Sequence, residues 1–510
     1  MLFRILSFAL IFILSLPATV LGMTLTASKE GVVADGATNN ALAIQAMVDK
    51  AAASGGGRVV IDEGIVVSGM ITLKRGVTLE IAEGATLMNT GNKEDYPYVP
   101  VDFLSYYPKR RAMVYAQNVE AIAVIGKGTI DGKCGAYKAR SSESDRVSLI
   151  RLDGCKNVVV RDLTLLNASM WTQHFYRCED LEISGLTIKN YMKNDDGLNV
   201  DGSRNVVIDN CDITTHDDAI TLKNTSHQAS ENITITNCRL NSQKSALKFG
   251  TESYSGFINV TARNLEIIGG RDAIALYSSD GARIEKVLIE DVTITDTSCP
   301  ISVILGDRLR EIEGDTKQLT IGSAQDITIR NIKATGAKWA LMFVGSEARS
   351  IEGVSLENID VAFGPEPGGK KNSPRAERVV GTKTSAYPQS RMFNTLNAWG
   401  LFARHADDLS LKNVSFTAAG KSRAHMAYFE NVDGLTLEGM QVSSPENEPS
   451  WITANGLRNA HLGVNWPEVA NWIEFVGAPS SQIVVPTELA VTQAKARVLN
   501  APNSLKTVKP

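Results

Sequence analysis

The sequence predicts an all-β fold, a coil of parallel strands with a short N-terminal capping helix, on three observations. Segments of one type recur along the chain: NVVIDNCDI from Asn205, NITITNCRL from Asn232, INVTARNLEI from Ile258 and DITIRNIKA from Asp326. Each contains a short alternating β-branched run, such as Val206-Val207-Ile208 or Ile233-Thr234-Ile235, too short for a helix and too regularly spaced for hairpins. Ahead of the repeats, 41–53 is alanine-rich and carries Leu42, Ile44, Met47 and Val48 on a helical period after Asn39-Asn40.

At the N-terminus, Arg4 precedes an apolar stretch from Ile5 to Leu16, then Pro17 and a small-residue exit at Val20-Leu21-Gly22. This reads as a secretory signal peptide over 1–22, because the apolar core is shorter than the roughly 20 residues that span a bilayer. No cysteine lies near the cleavage region, so a lipid anchor is not expected. The expected protein is secreted or periplasmic and away from the membrane once the leader is cut.

The next stretch, 23–95, reads as the cap and first rungs, since open strands need a covered end. The repeats fill 96–440. An Asn, Asp or Gly closes each unit, at Asp162, Gly185, Asn210, Asn237, Asn264, Asp291, Asn331, Asn358, Asn413 and Gly439. Most steps fall between 23 residues (162 to 185) and 27 (210 to 237); the longer ones, 291 to 331 and 358 to 413, imply inserted loops. In a coil the same residue recurs above itself about every 4.8 Å, so a turn asparagine can bond its own copies. Cys211 with Cys238, and Cys155 with Cys178, share registers and read as buried stacked thiols rather than disulfides. From 441 to 510 the pattern fades through Pro445, Pro449 and Pro467 into C-terminal rungs and a tail, with no separate domain.

Lysine plus arginine (52) nearly balance aspartate plus glutamate (56), which argues against a nucleic-acid partner. The chemistry gathers in Asn194-Asp195-Asp196-Gly197 and, one turn later, His216-Asp217-Asp218-Ala219. Adjacent rungs bring these acids onto one face, where mutual repulsion raises one pKa and leaves another group ionised. Glycoside hydrolysis needs that division of labour, an acid for the leaving oxygen and a carboxylate to activate water or attack carbon. Turn formation alone explains one such pair, but less readily two, each opening an apolar strand. Oxygens of Asp195, Asp196, Asp217 and Asp218 are also a calcium donor set.

The run ADGATNNALAIQAMVDKAAASGGGRVVIDEG, followed by GVTLEIAEGATL, GKGTIDG, ASMWTQH, NDDG and HDD, resembles glycoside hydrolase family 28, the polygalacturonases and rhamnogalacturonan hydrolases, over most of the mature chain. The resemblance implies a right-handed parallel β-helix of the pectin-lyase-like type. It also implies Asp217 as general acid, Asp196 and Asp218 as holders of the attacking water, and inversion at the anomeric carbon. The family's Gly-His-Gly signature falls on Lys244-Ser245-Ala246, and its Arg-Ile-Lys signature, which grips galacturonate in typical members, falls on Ala275-Leu276-Tyr277. Substitute substrate contacts are expected from Asn194, His216, Lys223, Lys248, His174, Arg404 and His405, with Lys248 first for an acidic sugar group and Trp171 as a stacking platform.

The leading expectation is therefore an inverting, exo-acting hydrolase of pectic or related uronic-acid- or rhamnose-containing saccharides, needing no cofactor and no metal, and monomeric. Exo action follows from long loops at 307–322 and 364–392 that would wall off the groove. Two other readings are a calcium-dependent lyase, with Lys223 or Lys248 withdrawing a proton beside a uronate, and a noncatalytic glycan-binding solenoid.

Overall fold

A computed structural model describes residues 22–485 except 138–144, 369–384, 394–395, 423, 445–450 and 465–471, together with 496–498 and 508–509. The leader expected over 1–22 lies almost wholly outside the described residues. Among the described residues no helix is long and apolar enough to cross a membrane.

The chain winds as a parallel β-helix with three strand positions per turn. One rung runs through Leu198–Asp201, Arg204–Asp209 and Asp212–Thr215, and each strand pairs in parallel with its equivalent in the next rung, Ile220–Asn224, Ser230–Thr236 and Arg239–Ser242. Alternation places every second side chain inside. Leu152, Phe175, Val200, Leu222, Phe249 and Leu276 stack in register along the first strand position, all buried. Between them, facing outward, runs the row Arg151, His174, Asn199, Thr221, Lys248 and Ala275.

All ten expected turn positions, from Asp162 to Gly439, have positive φ, between 53° and 65°. Asparagine, aspartate and glycine tolerate this left-handed conformation best, which is why the column is restricted to them. The side chains also form the expected ladder: Asn264 Nδ2 donates to Asn237 Oδ1 at 2.6 Å and Asn358 Nδ2 to Asn331 Oδ1 at 3.0 Å. A second ladder, not anticipated, links Asn205, Asn232 and Asn259 at another corner. Asn237→Ala is expected to lose about 1–2 kcal/mol in denaturant unfolding, since alanine takes left-handed φ at that cost; Asn237→Gly should recover most of the backbone part.

The helix Ala41–Ala53 caps the first rung with Ile44, Met47, Val48 and Ala51 buried. Leu42, expected on the same face, is instead 88% exposed, because two residues before Ile44 the helix has turned by about 200°, to the face opposite the buried stripe. Asn39 Oδ1 accepts from Ala41 N, and Asn40 binds Val33 and Val67 backbone, so the Asn-Asn pair fixes the helix entry. All six cysteines are free thiols and five are buried. The coil does not stop at 440: Ile452–Asn455, Arg458–Val464, Ile473–Phe475 and Ser481–Val484 continue it in parallel, and Ala496–Val498 and Val508–Lys509 pair onto its end.

Candidate active site

The acidic motifs sit in the turns that feed Leu198–Asp201 and Ile220–Asn224. Because Leu198 pairs with Ile220, register stacks Asp196 over Asp218 and Asp195 over Asp217. Asp195 turns under the motif as a clamp. Its carboxylate accepts from the backbone N–H of Asp217 (2.7 Å), Met192 (2.9 Å) and His216 (3.3 Å). With Asp195 so committed, Asp196, Asp217 and Asp218 converge, each offering an oxygen within 4.8 Å of the others.

Charge divides the three. Burial and the neighbouring Asp218 push Asp217 up, despite Lys248 and Lys223. Burial also works to raise Asp218, but Lys248 and Lys223 outweigh it and hold Asp218 below the ordinary range. Burial raises Asp196 well above that range, opposed chiefly by Lys223. Burial pushes Asp195 up to about 6. One proton is thus most readily kept on the Asp196/Asp217 side, while Asp218 stays ionised.

Lys248 Nζ lies 2.7 Å from Asp218 Oδ2 and 3.0 Å from Tyr387 Oη. Lys223 Nζ lies 3.0 Å from Glu252 Oε2, 3.5 Å from Asp196 Oδ2 and 4.5 Å from the centre of the Trp171 ring. Both lysines belong to the site, but each is spent on protein carboxylates; neither is the solvated outer-face lysine that an apolar strand would otherwise suggest. Trp171 flanks the site edge-on to Tyr107.

The remaining expected contacts divide. His216 lies beside Asp217, half-buried, with Nδ1 lacking a hydrogen-bond partner. Asn194 adopts left-handed φ and its Oδ1 accepts from Arg146, so it shapes the turn. His174 is 1% exposed, bonded through Nε2 to Asp201 at 3.0 Å and packed between Trp171 and Tyr176. A direct sugar contact by His174 is therefore corrected to a buried support behind Trp171. Arg404 and His405 are not brought to the aspartates: they lie five rungs past Lys223, ~24 Å at the usual rung spacing. Arg404 instead pairs with Glu430 at 2.9 Å.

Sequence reading missed Glu252, Tyr107, Arg310 and Tyr387. Tyr107 Oη donates to Glu252 Oε1 at 2.9 Å across 145 residues. Arg310, from the loop after Cys299–Leu305, stacks on Tyr106 at 3.7 Å and approaches Glu252 at 3.8 Å. The only local signal was Glu252's place in SALKFGTES, beside Lys248.

The trio as a metal site fits poorly. Asp218 Oδ1 accepts from Ser245 N at 3.0 Å and Oδ2 from Lys248, so both its oxygens are used, and two ammonium groups already supply the positive charge a cation would bring. Calcium prefers six to eight free oxygens.

A right-handed parallel β-helix bearing three converging carboxyls on one wall is the class that fold and site define. The chain belongs to glycosyl hydrolases family 28, whose sequence profile matches residues 69–386. It is 28% identical over 212 residues to a probable polygalacturonase of Vitis vinifera, covering 38% of this chain and 43% of the relative. It is 25% identical over 248 residues to an exo-poly-alpha-D-galacturonosidase of Dickeya chrysanthemi, covering 38% and 40%. The chain thus spans about two fifths of the length of these curated relatives. Among solved structures, the exopolygalacturonase of Thermotoga maritima superposes with a TM-score of 0.59 at 22% identity, covering 67% of this chain and 87% of that one. The family 28 exopolygalacturonase of Yersinia enterocolitica gives 0.61 at 18%, covering 84% and 79%. At these identities the structures establish the fold.

Proposed function

We propose that the protein is a glycoside hydrolase acting with inversion on the ends of pectic-type saccharides. The observation that carries this is the convergence of Asp196, Asp217 and Asp218 with unequal proton affinities. Asp217 gives its proton to the glycosidic oxygen as the C1–O bond breaks. Water held against Asp196 and Asp218 forms the new C1–O bond, and its proton passes to a carboxylate and then to solvent.

Separation alone does not favour inversion, since inverting pairs usually stand about 6.5–9.5 Å apart. Inversion is supported by family membership and by Asp218, whose oxygens both accept hydrogen bonds and so make a poor nucleophile. Exo action is supported by burial: Asp196 and Asp218 are 3% and 2% exposed, as suits a pocket rather than an open groove. Tyr387 stands over Lys248, and beyond it Phe393 and Leu396 pack on Ala275, Met342 and Phe402, filling the outer face of the coil. Of the expected wall at 364–392, residues 369–384 lie outside the described residues.

The test is to incubate the purified protein with defined pectic oligosaccharides, reading products by proton NMR and ultraviolet absorbance with and without a chelator. Terminal sugars of inverted configuration, no unsaturated product and no chelator effect are expected. Retention would move Asp196 to the role of nucleophile. An unsaturated uronide made only with calcium would replace hydrolysis by β-elimination. Tight binding without turnover would leave a glycan-binding solenoid.

A further inference from the structure

We propose, building on the glycosidase reading, that the sugar held against the aspartates carries no free carboxylate, and that Glu252 sets this preference. A buried anion needs a buried cation or donor fork to replace water. Among the described residues, the two buried lysines beside the trio each face a protein carboxylate. Lys248 is taken by Asp218 at 2.7 Å. Lys223 is hydrogen-bonded to Glu252 and stands 3.5 Å from Asp196 Oδ2 and 4.5 Å from the centre of the Trp171 ring. Further out, Arg308 Nε binds Asp280 Oδ1 at 2.8 Å and Arg271 binds Asp272 at 2.7 Å. Arg110 lays its guanidinium over Tyr107 and Trp171.

Glu252 is the centre of this arrangement. It is 7% exposed, takes Lys223 on one oxygen and the Tyr107 hydroxyl on the other, and draws Arg310 to 3.8 Å. A lysine, an arginine and a phenol converging on one carboxylate form the recognition set for a uronate, here filled from within. A uronate entering beside Asp196 and Asp218 would meet two further carboxyls and two lysines already paired, and would compete with Glu252 for Lys223 and Arg310. A sugar whose C6 is a methyl, a hydroxymethyl or an ester meets no such penalty. Terminal rhamnose or a methyl-esterified galacturonate has that chemistry.

The experiment compares three probes: a trigalacturonate, its methyl ester, and a rhamnogalacturonan oligosaccharide ending in rhamnose. Turnover is measured with the wild-type protein and binding by calorimetry with Asp217→Asn, which keeps the ligand intact. At least one neutral-ended probe is expected to exceed trigalacturonate by tenfold or more in kcat/KM and in affinity. Adding Glu252→Gln should narrow that gap at least tenfold by releasing Lys223 and Arg310. Equal or better handling of trigalacturonate by the wild-type protein overturns the proposal, without touching the glycosidase reading. A neutral preference unmoved by Glu252→Gln overturns the role of Glu252. If Glu252→Gln does not fold, the wild-type ratio alone decides the charge preference and a folded Glu252→Asp variant, with a displaced carboxylate, decides its origin. Binding and turnover of none of the three overturns both readings together.

Discussion

Asp217→Asn is expected to lower kcat by about 10²–10⁴-fold, the usual contribution of a positioned general acid, while leaving oligosaccharide affinity within a few-fold. Asparagine keeps the shape and the Oδ1 acceptor that receives the Asp218 N–H at 3.0 Å, and the Asp217 N–H can still reach Asp195. Only the transferable proton is lost, so unfolding temperature and binding act as internal controls. Leaving groups that depart without protonation should narrow the deficit, because they need no acid. Near-normal turnover of a substrate that the native protein cuts through a poor leaving group would reject Asp217 as the acid and shift that role to Asp196, the other carboxyl of the trio raised by burial.

Lys248→Met is expected to cost stability and activity together. Lys248 is 1% exposed and is the ion partner of Asp218, itself 2% exposed. Removing one member of a buried pair strands the other, typically at about 3–5 kcal/mol, measurable by denaturant unfolding. The pH dependence separates this from a packing defect. In the native protein Asp218 is held below its ordinary value of 3.8, so the stability it contributes is present above that value and lost as pH falls through the lower, folded one. Without Lys248, burial dominates and Asp218 binds its proton more tightly when folded, so the variant gains stability as pH falls. The difference between the two proteins should be widest near neutrality and shrink in acid. Lys248 also lowers Asp217, so residual activity should keep its alkaline limb to a higher pH in the variant. A stability difference flat across pH would show that Lys248 acts by packing alone.

The parallel coil was legible because its signal is local and repeated. A turn that must adopt positive φ admits Asn, Asp or Gly, and the same demand recurs every rung, so the column from Asp162 to Gly439 could be read directly. The aspartates were legible for the same reason, since NDDG and HDD lie one rung apart in sequence and the coil turns that interval into contact. Even there, register decided the pairing: the interval from Leu198 to Ile220 stacks Asp196 on Asp218 and assigns Asp195 to clamping the backbone rather than to the open cluster.

The sequence by itself thus determined the family, the coil and the trio at the centre of the candidate site. Tertiary structure alone decided what surrounds that trio. Tyr107 reaches Glu252 across 145 residues and Tyr387 reaches Lys248 across 139, and nothing in either neighbourhood encodes the meeting. Whether a cation is available or already spent depends on such contacts, which is why Lys223 and Lys248 read as substrate ligands in the sequence and stand as partners of protein carboxylates in the fold. Arg404 and His405 show the converse: with inserted loops between repeats, spacing along the chain no longer counts rungs, and their place ~24 Å along the coil follows from strand register alone. Periodicity fixes which wall a residue occupies; the loops packed over that wall fix which of its charges a substrate can meet.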